Sequence, residues 1–272
     1  KYLIDLCDGI YQRIATGKDN VFLVDGNIIL GHDIERGILR PFLKGKNIRP
    51  YTIEWGGLYL IYPYDENGNV ISEQFFKSHY PNAYQYMLDN KDNLKGRSYF
   101  DKSSKAWYEL WNQRKPTRFE GEKIVTLDNA SCNSFALDIN GFFGTTTVYS
   151  FKIISDDGLN NKYVLGVLNS KLLNYYHRNT SVPQAGGFFR YQALFIKNLP
   201  IASANETIVN RISKCVTEIL LGKKQNADTT SLENQIDFLV YHLYGLTYDE
   251  VLIVDPETPI SREEYEAYNI EQ

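Results

Sequence analysis

The chain of 272 residues is short of the side chains that carry most covalent and metal chemistry: it has three cysteines, one methionine and four histidines. Cys7, Cys132 and Cys215 stand far apart, so no metal-ligand spacing exists. An odd, scattered set of thiols suits a reducing cytosol, and a cytoplasmic location is expected. His32, His79, His177 and His242 have no Cys, His or Asp at ligand spacing, and His242 is expected on a solvated helix face. No apolar run approaches the roughly 18 residues of a membrane span and no signal peptide opens the chain, so no membrane partner is expected. The sequence starts at Lys1, directly in ordered-looking sequence, as expected of a piece excised from a longer protein. An excess of positive charge is also missing, since the net charge is -4. That argues against a protein that coats DNA indiscriminately.

Catalytic motifs are absent as well. No glycine-rich turn of an S-adenosylmethionine site, no Asn-Pro-Pro-aromatic grip on a flipped adenine, no P-loop and no nucleophile elbow occurs. Asn198-Leu199-Pro200 is a superficial echo, and Gly56-Gly57 lacks a strand–helix context. Asp65 with Asp89-Asn90-Lys91 fits the letters of a metal-dependent nuclease, which stays as an alternative. The motifs favour binding over catalysis, with no cofactor or metal expected in this stretch.

Apolar residues make up 43% of the chain and 21 residues are tyrosine, enough for a large core. Residues 1–15 suit a strand or a short helix. Asn20–Leu30 reads as two β-rich runs about an Asp25-Gly26-Asn27 turn, and Leu58–Tyr64 as a strand closed by an Asp65–Asn69 turn. Ser72 caps a helix and Pro81 opens another. Strands are expected at Lys123–Leu127, Ser134–Asp138 and Thr145–Ile154, with Asn140-Gly141 as a hairpin turn. From Tyr163 one helix places Val164, Val167, Leu168, Lys171, Leu172 and Tyr175 at three- and four-residue spacings; a break at Pro183 and Gly186-Gly187 and a strand at Tyr191–Ile196 follow. Beyond Pro200, Ser203-x-x-Glu206 and Thr230-x-x-Glu233 start two helices, ended at Gly222 and Gly245, that pair as a hairpin; Thr247 and Ser261 begin short ones. The fold class is α+β: a mixed or antiparallel sheet with packed helices over residues 1–202, then a C-terminal helical hairpin and acidic tail over 203–272.

Charge is uneven. Residues 1–200 carry 24 Lys and Arg against 20 Asp and Glu; residues 201–272 carry 5 against 13. Three stretches are basic. Arg36–Tyr51 holds Arg36, Arg40, Lys44, Lys46 and Arg49 without an acid, and Lys95–Lys123 interleaves Arg114 and Arg118 with Trp107, Tyr108 and Trp111. Core packing is the better reading for Trp107 and Trp111. Gly158–Pro200 has five Lys or Arg and no acid. Lysine and arginine neutralise phosphates, which suits Lys44, Lys46, Arg49, Arg114 and Arg118. Base choice needs paired donors and acceptors; Arg178, Gln184, Arg190 and Tyr191 are candidates, with Gly186 and Gly187 allowing close backbone approach.

Several segments in order resemble a known family: IATGKDNVFLV (Ile14–Val24), LRPFLKGKNIRPY (Leu39–Tyr51), YPNAYQYMLDNKDNLKGR (Tyr80–Arg97), WYELW, KIVTL, LGVLNSKLLNYYHRNTS (Leu165–Ser181), GGFFRYQALFIKNLPI and the tail LENQIDFLVYHLYGLTYDEV. Together they resemble the TaqI-like C-terminal specificity domain of type IIG restriction-modification enzymes and, more distantly, half of a type I specificity subunit. The resemblance implies that Leu39–Tyr51 and the Gly186–Tyr191 loop lie near double-stranded DNA. It also implies an upstream methyltransferase domain in the same parent chain, using S-adenosylmethionine to methylate adenine, often preceded by a Mg2+-dependent nuclease. The alternatives are a free-standing type I-like specificity subunit, a nuclease using Asp65, Asp89 and Lys91, or an interaction module using the tail helices.

Overall fold

The computed structural model describes residues 1–97, 100, 103–154 and 158–269. Its fold is α+β, as the sequence predicts. In one four-stranded sheet Tyr11–Gln12, Val148–Phe151, Lys123–Leu127 and Phe135–Asp138 lie side by side, every pair antiparallel. A second sheet runs Phe143–Gly144, Leu39–Leu43, Tyr59–Ile61, Leu23–Val24, with the first pair parallel and the others antiparallel.

Lys123–Leu127 is buried on both faces except at its last residue. On one face Ile124 and Phe135 meet the helix Asn161–Asn169; on the other Val125, Ala136 and Val148 enclose Ile48. That helix is apolar all round because it lies between the sheet and the helices Glu206–Lys224 and Thr230–Leu243. Gly166 permits the contact, since a Cβ there would stand 2.7 Å from Cγ2 of Ile212. The helical hairpin therefore shares its core with the first sheet. A second core gathers Phe22, Phe42, Leu60, Phe76, Met87, Phe119 and Phe143 around the other sheet.

A buried ionic cluster lies where the two sheets meet. Lys123 and Asp138 are cross-strand partners, and Nζ lies 2.5 Å from Oδ2 with both side chains fully buried. Asp138 also accepts the N–H groups of Asn140 (2.9 Å) and Phe142 (3.0 Å), fixing the turn that leads to Phe143 in the second sheet. Arg13 approaches the same carboxylate at 3.9 Å and donates to the Phe142 carbonyl, while Lys123 donates to that of Phe119. Gly144 leaves room for Arg13, whose Cδ would lie 2.7 Å from a Cβ. Burial lowers Lys123 to about 8 and Arg13 to about 10, with Asp138 opposing the shift in each.

Some local expectations are corrected. Asp25 is not a turn residue; it accepts from Asn27 and Ile28 N–H and caps a helix, Gly26–Gly31. Asn140-Gly141 does not close a hairpin, because Asp138 sends the chain across to pair with Phe42 and Leu43. Ser170 splits the single expected helix in two and caps the second, Lys171–Thr180, which leaves Tyr175 exposed. Tyr191–Ile196 is no strand: Gln192 accepts two backbone bonds that start a helical turn, Ala193–Ile196. Asn205, not Ser203, caps Glu206–Lys224, which runs through Gly222. Thr229 precedes the next helix. His242 is no solvated side chain, since its ring stacks on Tyr265 at 4.0 Å. Trp107 packs against the second core, but Trp111 is 40% exposed. Among the described residues no helix is long and apolar enough to cross a membrane.

Removing the shared carboxylate leaves two buried cations unopposed. Asp138→Asn is expected to lower the unfolding free energy in urea by about 3–5 kcal/mol. Glu54→Gln, which breaks the exposed Arg49–Glu54 pair at 3.6 Å, should change it by less than about 1 kcal/mol.

Candidate nucleic-acid interface

After helix Lys171–Thr180 the chain turns back on itself as a two-stranded finger. Pro183 lies opposite Phe189 and Gln184 opposite Phe188, and the Arg190 N–H donates to the Val182 carbonyl at 3.2 Å. The tip is Ala185-Gly186-Gly187, with φ of 76° and 78° at the two glycines, where other residues are strained. Among the described residues nothing beyond its chain neighbours lies within 4 Å of where a Gly187 Cβ would stand, so the tip is clear of the body.

Strand alternation sorts the finger's side chains. Phe189 and Tyr191 face inward, against the main core. Val182, Gln184, Phe188 and Arg190 share the opposite face, with Val182 45% and Phe188 43% exposed. Tyr191 is thus not a surface side chain: it is fully buried, and its hydroxyl donates to Oδ1 of Asn133 at 2.8 Å. Its part is structural, at the finger's root.

That root is a polar network inside the core. The Asn133 side chain also donates to the Leu168 carbonyl at 2.6 Å, and its backbone N–H donates to Asn174 at 2.9 Å. The Tyr191 N–H donates to the Asp128 carbonyl at 2.7 Å. The Arg190 carbonyl accepts from Ser181 Oγ at 2.6 Å and from His177 Nε2 at 2.9 Å. A carbonyl can only accept, so Nε2 carries the hydrogen. Nδ1 is buried without a partner, and the ring lies 4.1 Å from that of Tyr191. Burial lowers His177 to about 4, although its bond to the Arg190 carbonyl favours the proton. Asn133, Asn174 and His177 carry no motif in the sequence; only the fold joins them.

The remaining candidates fall into two groups. Arg178 is exposed beside the finger, its guanidinium 4.9 Å from the Phe189 ring centroid. The turn Gly45–Asn47 abuts Leu127 and Thr147, at 3.3–3.4 Å from a Gly45 Cβ position. Leu127 leads through Asp128 to Asn129, which pairs with Arg190. Lys44 and Lys46 therefore stand at the same end of the central strand as the finger. Among the described residues neither these lysines nor Arg178 nor Arg190 has a carboxylate at ion-pair distance. Arg49 is shared with Glu54 and with the Lys46 carbonyl. Arg118 lies over Tyr11, opposite Ser150, toward the other end of the sheet, and Arg114 is held by Asn112. Among the described residues no contact brings either to the finger.

The nuclease letters do not converge. Asp65 caps its own turn through Asn67 and Asn69, Asp89 accepts from Gln85, and Lys91 sits over Trp107. Among the described residues no three His, Cys, Asp or Glu side chains gather as a metal would require.

The model of the TaqI-like C-terminal specificity domain matches residues 40–201, a span that includes the central strand and the whole finger. The chain belongs to this family. Over 235 residues it is 28% identical to the type II methyltransferase M.MjaIV of Methanocaldococcus jannaschii, covering 84% of this chain and 76% of that protein. Over 241 residues it is 21% identical to the type II methyltransferase M.BstVI of Geobacillus stearothermophilus, covering 89% and 40%. Its fold matches that of the type IIL restriction-modification enzyme MmeI, solved in complex with DNA, with a TM-score of 0.65, 12% identity, and coverage of 96% of this chain and 36% of that one. The match to this chain thus spans 76% of M.MjaIV but 40% or less of the other two.

Burial of a neutral His177 should make the packing of the finger's root pH-dependent. Exposed by local unfolding, His177 would regain the ordinary value near 6.5, whereas the packed root holds it at about 4. Protons should therefore favour the unpacked root: packing is expected to be most stable above about 6.5 and to lose about 3 kcal/mol as pH falls through the window to 4. Exchange of the Arg190 amide, corrected for intrinsic rates, should accelerate across that window. His177→Gln, which keeps a donor but does not titrate, should flatten the response. Protection that is flat with pH in the wild type would refute the assignment.

Proposed function

We propose that the specificity domain binds double-stranded DNA sequence-specifically, as the target recognition module of a type IIG restriction enzyme or DNA adenine-N6 methyltransferase. The observation that carries this is the outward face of the finger. Gln184 and Arg190 stand on one side of a two-stranded ribbon, at the same end of the sheet as Lys44 and Lys46. Arginine pairs with guanine and glutamine with adenine at base edges, while lysines hold phosphates without sequence choice. Arg178 joins the base or groove contacts, and the positive-φ glycines 186 and 187 let the backbone approach closely. Arg49, Arg114 and Arg118 are proposed as outlying phosphate contacts. Residues 1–202 would form the reading unit and 203–272 the helical spacer and acidic tail. The methyl transfer, with its S-adenosylmethionine, and any Mg2+-dependent cleavage belong to other domains of the parent polypeptide. This fits relatives that are type II methyltransferases and a fold-similar type IIL restriction-modification enzyme, M.BstVI and MmeI being much longer than this chain.

Arg190→Glu should weaken binding to the preferred duplex at least tenfold and relax site choice, as loss of a bidentate contact worth about 1–3 kcal/mol requires. Lys46→Gln should weaken all sequences alike and reduce the slope of log K against log salt by about 1. Electrophoretic mobility shifts over a salt series read both. Unaltered affinity and site choice in Arg190→Glu would remove that residue, and the absence of any salt-dependent duplex binding would refute the reading.

A further inference from the structure

The outward face of the finger carries more than polar readers. Phe188 and Val182 lie on it with Gln184 and Arg190, 43% and 45% exposed, on a ribbon whose other face already supplies Phe189 to the core. Large apolar side chains exposed beside two polar ones are not needed to hold the ribbon, because the inward residues and the Arg190 carbonyl network do that.

Resting on the DNA-binding reading, we infer that Phe188 recognises the C5-methyl group of a thymine, with its cross-strand partner Gln184 on the adenine edge. Three features support this assignment. A two-stranded ribbon fits the major groove, about 12 Å wide, and not the minor groove of about 6 Å; only the major groove displays the thymine methyl. Directly opposed residues hold their Cβ atoms about 4.5–5.5 Å apart, so Gln184 and Phe188 reach neighbouring edges in one groove. The Phe188 ring packs over the tip itself, 3.5 Å from where a Gly186 Cβ would stand, so it is held against the ribbon's own turn on the face that carries Gln184.

Uracil lacks the methyl and changes nothing else on that edge, so it is the probe. Sites are first enriched from a randomised duplex pool with the full chain; each A·T position is then rebuilt with deoxyuridine and affinities are compared for wild type, Phe188→Ala and Gln184→Ala. One position should lose about fourfold in affinity on uracil substitution in the wild type and almost nothing in Phe188→Ala, the scale of one buried methyl. Adenine preference at the same pair should fall in Gln184→Ala. If a site is enriched but no thymine position responds to uracil, the methyl contact is overturned while DNA recognition stands, even should Phe188→Ala weaken binding. If no duplex is enriched, the DNA-binding reading fails and this inference goes with it.

Discussion

The contact between Lys123 and Asp138 is the constraint on which the arrangement depends. The two are opposed across the central strands, inside the protein, where unpaired charge costs several kcal/mol. Asp138 spends its remaining capacity on the turn to Phe142, and Arg13 ties the Phe142 carbonyl to the edge strand. The cluster thereby joins both sheets. Such a group adds little net stability over an apolar replacement; because Lys123 and Asp138 are opposed across paired strands, their contact is made only in this register. A slip of one residue would turn Lys123 toward the apolar face that Ile124 shares with the helix Asn161–Asn169.

Fixing that register also fixes the finger. Lys123–Leu127 continues through Asp128 into Asn129–Ala130, which pairs with Phe188–Arg190. The finger's outward face is therefore an extension of a deeply buried strand, and its alternation is inherited from that strand's pairing. At the finger's base, Tyr191, Asn133, His177 and Ser181 saturate the Arg190 carbonyl and the buried hydroxyl. Side chains that discriminate between base edges must be held to about 0.5 Å, and a root built inside the core provides such support.

Much of this was legible in the sequence where one local signal dominates. The Ser72 and Thr247 caps, Pro81 at a helix start, the strand KIVTL and the hairpin stripes from Ile208 and Ile236 all form as their patterns dictate. Pattern and structure part where one residue serves two grammars. Asp25 before a glycine fits a turn as well as a helix cap, and Tyr191–Ile196 is apolar enough for a strand but has no neighbouring strand to pair with. The side that Tyr191 takes is set by the register with Asn129 and Ala130, some sixty residues away in sequence, which no local pattern carries. The basic stretches were visible as composition, but composition cannot say that Lys44 and Lys46 reach the finger's end of the sheet while Arg114 and Arg118 do not.

That partial convergence bears on how the proposed reader would work. Electrostatic attraction to DNA grows with the number of phosphates neutralised. Here Lys44, Lys46, Arg178 and Arg190 cluster at one end, Arg49 is partly neutralised by Glu54, and the whole chain is negative. On the proposed reading, the hold of this chain on an arbitrary duplex would be correspondingly weak. Discrimination would then rest on the few side chains of the finger's outer face. A reader built this way rejects wrong sequences by failing to stay bound, because it contributes little affinity that is blind to sequence.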